Sequence, residues 1–212
     1  MNVETHWEKI YREKAPDTVS WYRPHLETSF ALIEKAAPER RVSIIDVGGG
    51  ESTLVDDLLG HGYQNITVLD VSQTAIDVTK KRLGSAAEEV QWVTADILNG
   101  ELAPNAYDVW HDRAVFHFLT AIDQRVVYVH QVARAVKPGG HVLVSTFGPE
   151  GPTKCSGLEV VRYDAESLPH SSAFAFACWI ASRNCTIPRS ARRSSFSIVS
   201  VASSELILLA NL

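Results

Sequence analysis

Apolar residues three and four positions apart open the chain. Across residues 5–14, Trp7, Ile10 and Tyr11 share one face of a predicted helix. Ala15-Pro16-Asp17 breaks that helix and leads to the aromatic loop Ser20-Trp21-Tyr22-Arg23-Pro24. A second amphipathic run places Leu26, Phe30, Ile33 and Ala37 on one side and stops at Pro38. From residue 41 the rhythm changes to apolar strand runs alternating with helical runs. Strands are predicted at 42–47, 66–69, 90–94, 107–110 and 141–147, with helices at 53–59, 74–83 and 124–136. Ser72 is placed to cap the helix carrying Ile76, Thr79 and Leu83. Lys137-Pro138-Gly139-Gly140 reads as a helix stop and a turn before the fifth strand. This alternation predicts a doubly wound α/β fold, with a mostly parallel sheet and helices on both faces.

Composition adds limits to that picture. The 212 residues suit one α/β domain with a substantial core. We expect residues 1–40 to be an N-terminal helical cap, 41–167 the α/β core and 168–212 an atypical tail, all in one domain. No segment approaches the about 18 continuous apolar residues of a membrane span, and the N-terminus lacks a basic stretch followed by an apolar one. A cytoplasmic protein without membrane contact is expected. Residues 1–167 hold 16 basic and 24 acidic groups, whereas 168–212 hold 4 and 1. A net-acidic body argues against broad binding to a nucleic-acid backbone. Cys155, Cys178 and Cys185 have no zinc-like spacing and are odd in number, so free thiols and no metal site are expected.

The candidate chemistry gathers at strand ends. Ser43-Ile44-Ile45-Asp46-Val47 runs into Gly48-Gly49-Gly50 and then a helix, and glycines there let the backbone approach a ligand closely. Asp70 ends the next strand 20 residues after Gly50, where a carboxylate accepts both hydroxyls of a ribose; a helix cap or loop acid is the simpler alternative. Asp96 and Ile97 follow the third strand, suiting an adenine amino group and ring face, although Asp96 alone would also cap the following turn. A dinucleotide fits less well, because the third glycine of its fingerprint falls at Thr53. Asp46 also suits an ammonium group better than a pyrophosphate.

Residues 41–147 resemble the class I S-adenosylmethionine-dependent methyltransferases, whose fold is Rossmann-like. The glycine turn matches their first motif, Asp70 their ribose-binding acid, Asp96-Ile97 their adenine pocket, and Lys137-Pro138-Gly139-Gly140 the turn before their fifth strand. Trp7, Tyr11, Trp21 and Tyr22 look like the N-terminal cap of the small bacterial methyltransferase-domain subgroup. The resemblance implies S-adenosylmethionine as cofactor, held by Asp46, Gly48, Gly49, Gly50, Asp70, Val71, Asp96, Ile97, Trp21 and Tyr22. It also places the end of the fourth strand toward the acceptor, making His111, Asp112, Arg113 and His117 the catalytic candidates. A histidine or carboxylate there would take the proton that most acceptors release, but Asp112–Arg113 also reads as a structural ion pair and His117 as part of a helix. In-line transfer from a sulfonium also proceeds by alignment alone, without a dedicated base.

The aromatics at 7, 11, 21 and 22 suit a water-excluding lid or simple packing, and Arg23 suits a carboxylate. The loop from Gly148 to Gly157, with Lys154 and Cys155, suits acceptor contact or a spacer. A small-molecule acceptor is expected, with protein lysine and non-catalytic cofactor binding as alternatives.

The resembled family ends in a further helix and an antiparallel hairpin, and the tail departs from that. Residues 168–212 contain ten serines but no glycine, lysine, aspartate or tyrosine. Residues 194–202 and 205–209 alternate as strands, while 168–193 shows no convincing helix and carries Pro169 and Pro188. So abrupt a change leads us to expect a reading frame shifted at about residue 168, with a divergent selected terminus as the alternative.

Overall fold

The computed structural model describes residues 2–163 and the strands at 196–202 and 206–208. The chain divides into two compact units, Met1–Glu101 and Leu102–Leu212. The division falls inside the stretch expected to form the core.

The first unit runs α1 Val3–Glu13, α2 Glu27–Ala36, β1 Ser43–Val47, α3 Leu54–Gly60, β2 Asn65–Asp70, α4 Gln73–Leu83 and β3 Val90–Thr94. Strand β2 pairs in parallel with β1 on one side and β3 on the other, with Asp46 opposite Val68 and Asp70 opposite Thr94. Ile44, Ile45 and Val47 of β1 and Ile66, Val68 and Leu69 of β2 are buried. Strands covered on both faces read as continuous apolar runs, which is why both were visible in the sequence. Leu54, Val55 and Leu58 bury the inner face of α3, and Ala75 and Ile76 that of α4. Ser72 caps α4 as expected, its hydroxyl accepting the Ala75 N–H at 3.2 Å. Because the three strands are parallel, the residues following each of them, at 48–53, 71–72 and 95–97, leave the sheet at its carboxyl edge.

The second unit contains β4 Tyr107–Arg113, α5 Ile122–Ala135, β5 Val136–Phe147, the short β6 Lys154–Cys155 and β7 Leu158–Glu159, then β8 Phe196–Ala202 and β9 Leu206–Leu208. Strands β4 and β5 are parallel. Helix α5 stops at Ala135 as its glycine- and proline-rich sequel predicts, but Lys137-Pro138-Gly139-Gly140 does not precede the strand. It lies inside β5 as an irregularity between the pairs Tyr107–Val136 and Val109–His141, with Gly139 at φ 84°. Strand β8 runs antiparallel to β5, and β9 antiparallel to β8. The antiparallel ending that the sequence left doubtful is therefore present in backbone form. The stretch 168–193, where the sequence predicts no helix, lies outside the described residues, as do Cys178 and Cys185.

Helices separate β1 from β2, β2 from β3 and β4 from β5, while β4 follows β3 without one, and the pairings of β1 to β5 within each unit are parallel: the fold is the expected Rossmann-like α/β class. No helix among the described residues is long and apolar enough to cross a membrane.

Candidate functional site

The glycine turn of the first unit is tied to the end of β2 by successive backbone groups. The N–H groups of Gly48 and Gly49 donate to the Leu69 carbonyl at 2.7 and 3.3 Å, and the Gly50 N–H donates to Asp70 Oδ2 at 2.9 Å. Gly48 sits at φ 73°, a left-handed conformation that favours glycine. A Cβ on Gly50 would lie 2.6 Å from Asp70 Oδ2 and 2.5 Å from the Ala75 methyl group, so the turn closes only without one. On Gly49 a Cβ would collide with the Asp46 carboxylate. The sequence therefore needs glycine at 49 and 50 to pack the turn against two acids.

Asp70 is buried, and its other oxygen accepts the Ser72 N–H at 2.8 Å. Burial pushes its pKa up to about 6, with Asp46 adding to the rise, while the N–H groups of Ser72, Gly50 and Val71 act to lower it. At neutral pH it is an anion that accepts the Gly50 N–H on Oδ2 and the Ser72 N–H on Oδ1, and its lone pairs leave room for hydroxyl donors. Asp96, after β3, accepts the Leu98 N–H at 2.9 Å, so it does cap its turn. Ile97 beside it is buried. Asp46, Gly48, Gly49, Gly50, Asp70, Val71, Asp96 and Ile97 thus all lie on one carboxyl edge.

The aromatic cap is assembled in part. Trp7 stacks on Tyr11 with ring centroids 5.7 Å apart and meets Trp21 edge-on at 6.0 Å. Arg23 spends its guanidinium on the carbonyls of Ser20 and Tyr22. Three groups escaped the sequence reading. Glu8 binds the start of α4 from α1. Thr79 donates to the Gly50 carbonyl. Glu51 is buried directly after the glycines, and neither of its carboxylate oxygens has a hydrogen-bond partner among the described residues. Burial raises its pKa to about 7. Glu51 alone carried a local signal, an acid immediately after the glycine turn.

The second unit holds the four catalytic candidates in and just after β4. Asp112 is fully buried and engaged: it accepts the N–H groups of Val115 at 2.8 Å and Phe116 at 3.1 Å, and the Tyr128 hydroxyl at 2.6 Å. Tyr128 in turn accepts the Trp110 indole N–H at 2.9 Å. Burial raises the Asp112 pKa to about 6, while these donors and nearby His111 pull it down. Its geometry holds the turn that carries Arg113 and Ala114, the latter in the left-handed region at φ 74°. His111 is buried on β4 opposite Leu143, and Arg113 is half-buried opposite Ser145. His117 is buried between the rings of Phe118 and Phe147, at 4.5 and 4.7 Å, and neither ring nitrogen has a partner among the described residues. Burial lowers its pKa to about 4, so it is neutral at physiological pH. Its carbonyl accepts the Val161 N–H at 2.8 Å, fastening the segment after the β6–β7 turn.

Residues 44–140 match the family described as "Methyltransferase domain". Over those residues, a little under half of the chain, the sequence is that of a methyltransferase domain. The eEF1A lysine and N-terminal methyltransferase of Mus musculus is 28% identical over 138 residues, 65% of this chain and 19% of that protein. The ubiquinone/menaquinone biosynthesis C-methyltransferase UbiE of Roseobacter denitrificans is 27% identical over 120 residues, 55% of this chain and 47% of that protein. The chain therefore spans about a fifth to a half of the length of these curated relatives. A solved structure with the same fold, the Burkholderia thailandensis 1,6-didemethyltoxoflavin-N1-methyltransferase with bound 1,6-didemethyltoxoflavin and S-adenosylhomocysteine, superposes with a TM-score of 0.63 at 16% identity, over 82% of this chain and 75% of that one.

The residues present fit S-adenosylmethionine, the cofactor that the resemblance of residues 41–147 implies. The glycine turn lacks the side chains that would fill the cradle, and Asp70 keeps acceptor capacity for hydroxyls at the end of β2.

Proposed function

We propose that this chain transfers the methyl group of S-adenosylmethionine to a small-molecule acceptor in the cytoplasm. The observation that carries the reading is the Gly50 N–H to Asp70 Oδ2 bond, which joins a side-chain-free turn to a strand-end acid with free acceptor capacity. When bound, the cofactor supplies an electrophilic methyl group on a sulfonium.

The chain's own residues do the rest. Asp70 receives the ribose hydroxyls, with the neighbouring Val71 beside them; Asp46 and the glycines receive the methionine end, and Asp96 with Ile97 the adenine. Trp21 and Tyr22 exclude water from the cofactor. His111, Asp112, Arg113 and His117 serve the acceptor side. Asp112 orients the turn through its three donors, and His117, neutral at pH 7, offers a ring nitrogen to the acceptor's departing proton.

The small-molecule reading is supported by the names of the UbiE relative and of the toxoflavin enzyme. Protein lysine methylation is the second reading, favoured by the similarity to the eEF1A enzyme. Incubating the protein with methyl-labelled S-adenosylmethionine and separate metabolite and protein pools tests both. Label in metabolites supports the first, and label confined to protein supports the second. Cofactor binding without transfer to either pool points to a non-catalytic binder.

A further inference from the structure

Glu8 stands on α1, yet its carboxylate is spent on the first turn of α4, more than 60 residues away. Oε1 accepts the Ser72 hydroxyl at 3.0 Å and the Thr74 N–H at 3.1 Å. Oε2 accepts the Thr74 hydroxyl and pairs with Arg12 at 3.3 Å. Burial pushes the Glu8 carboxyl up, but the hydrogen bonds from Thr74 and Ser72 outweigh it and leave the pKa below the ordinary value. Thr74 carries one of the helix-start N–H groups that have no partner within the helix, so α1 supplies it with an acceptor in addition to the cap that Ser72 gives the Ala75 N–H.

Ser72 extends this cap to the cofactor acid. Its hydroxyl donates to Glu8 and accepts the Ala75 N–H, while its own N–H donates to Asp70 Oδ1 at 2.8 Å. One hydrogen-bonded chain thus runs from α1 through Ser72 to Asp70. Trp7, beside Glu8 in sequence, reaches Trp21 from the same helix.

We propose that Glu8 is a positioning residue for cofactor binding, fixing the Asp70 carboxylate through Ser72 and coupling the docking of α1 to occupancy of the ribose position. This rests on the assignment of Asp70 to the ribose. Coupling of this kind is reciprocal: what α1 does for the cofactor, the cofactor does for α1.

The test titrates wild type, Glu8→Gln, Thr74→Val and Asp70→Ala with S-adenosylhomocysteine by calorimetry, and follows amide hydrogen exchange across residues 3–13 with and without it. Glu8→Gln and Thr74→Val are each expected to weaken binding about tenfold. The double variant is expected to be no weaker than Glu8→Gln alone, because the Thr74 hydroxyl acts through the Glu8 carboxylate. Exchange in α1 is expected to slow on binding in wild type and not in Glu8→Gln. If Glu8→Gln does not fold, Thr74→Val, which removes only a hydroxyl, carries the same comparison. Wild-type affinity in folded Glu8→Gln, or a stability loss that is equal with and without S-adenosylhomocysteine, overturns the proposal while Asp70→Ala still abolishes binding. Wild-type affinity in Asp70→Ala overturns the ribose assignment and the proposal with it.

Discussion

The N–H of Gly50 donates to the Asp70 carboxylate at 2.9 Å, locking the turn after β1 to the acid that ends β2. Neither residue has much freedom to move. Gly50 is closed in by Ala75 and Asp70, and Asp70 is held on its other side by Ser72.

Gly50→Ala tests that closure. The added methyl group would sit 2.5 Å from the Ala75 Cβ and 2.6 Å from the carboxylate oxygen. A destabilisation of about 1 to 3 kcal/mol is expected from overpacking, measured by denaturant unfolding. Cofactor affinity should fall as well, since the displaced turn takes Asp70 with it.

This turn and its strands were legible in the sequence for a physical reason. Ile44, Ile45, Val68 and Leu69 form uninterrupted apolar runs ending in glycine or aspartate, and both the strands and their punctuation are local. Asp112 was legible as a residue but not in its use. Its partner Tyr128 lies on the buried face of α5, where it reads as ordinary core. Glu8 was invisible because a glutamate on an amphipathic helix looks like a solvated face, and its partners are set by tertiary packing. The Lys137-Pro138-Gly139-Gly140 segment carried the right turn chemistry, but only the pairing with β4 places it inside β5.

Glu51→Gln should change how stability depends on pH. The folded-state pKa of about 7 lies above the ordinary value of 4.5, so the folded protein holds a proton there that the unfolded chain has released. Glu51 therefore contributes stability that is present below pH 4.5 and lost as pH rises through about 7. Unfolding midpoints of wild type and Glu51→Gln are expected to match at pH 4.5, with the variant more stable at pH 8.

Tyr128→Phe removes the hydroxyl that donates to Asp112 and accepts from Trp110. Two buried groups lose a partner, and a loss of about 1 to 3 kcal/mol is expected. Burial already raises the Asp112 pKa, and loss of the Tyr128 donor should raise it further. Equilibrium unfolding of the variant at pH 7 checks the stability loss.

The serine-rich change at about residue 168 makes a prediction in DNA rather than protein. We propose that translation of one of the other two frames from that point gives an acidic, strand-bearing ending with a further helix. Reading the coding DNA checks it directly, and two frames without such an ending would remove the idea.

The central claim is tested most directly by calorimetric titration of the folded wild-type chain with S-adenosylmethionine and, separately, with NAD. Saturable binding of S-adenosylmethionine with one site per chain, absent for NAD and lost in Asp70→Ala, is the predicted result. Folded protein that binds no S-adenosylmethionine, or that binds NAD in its place, would contradict the account.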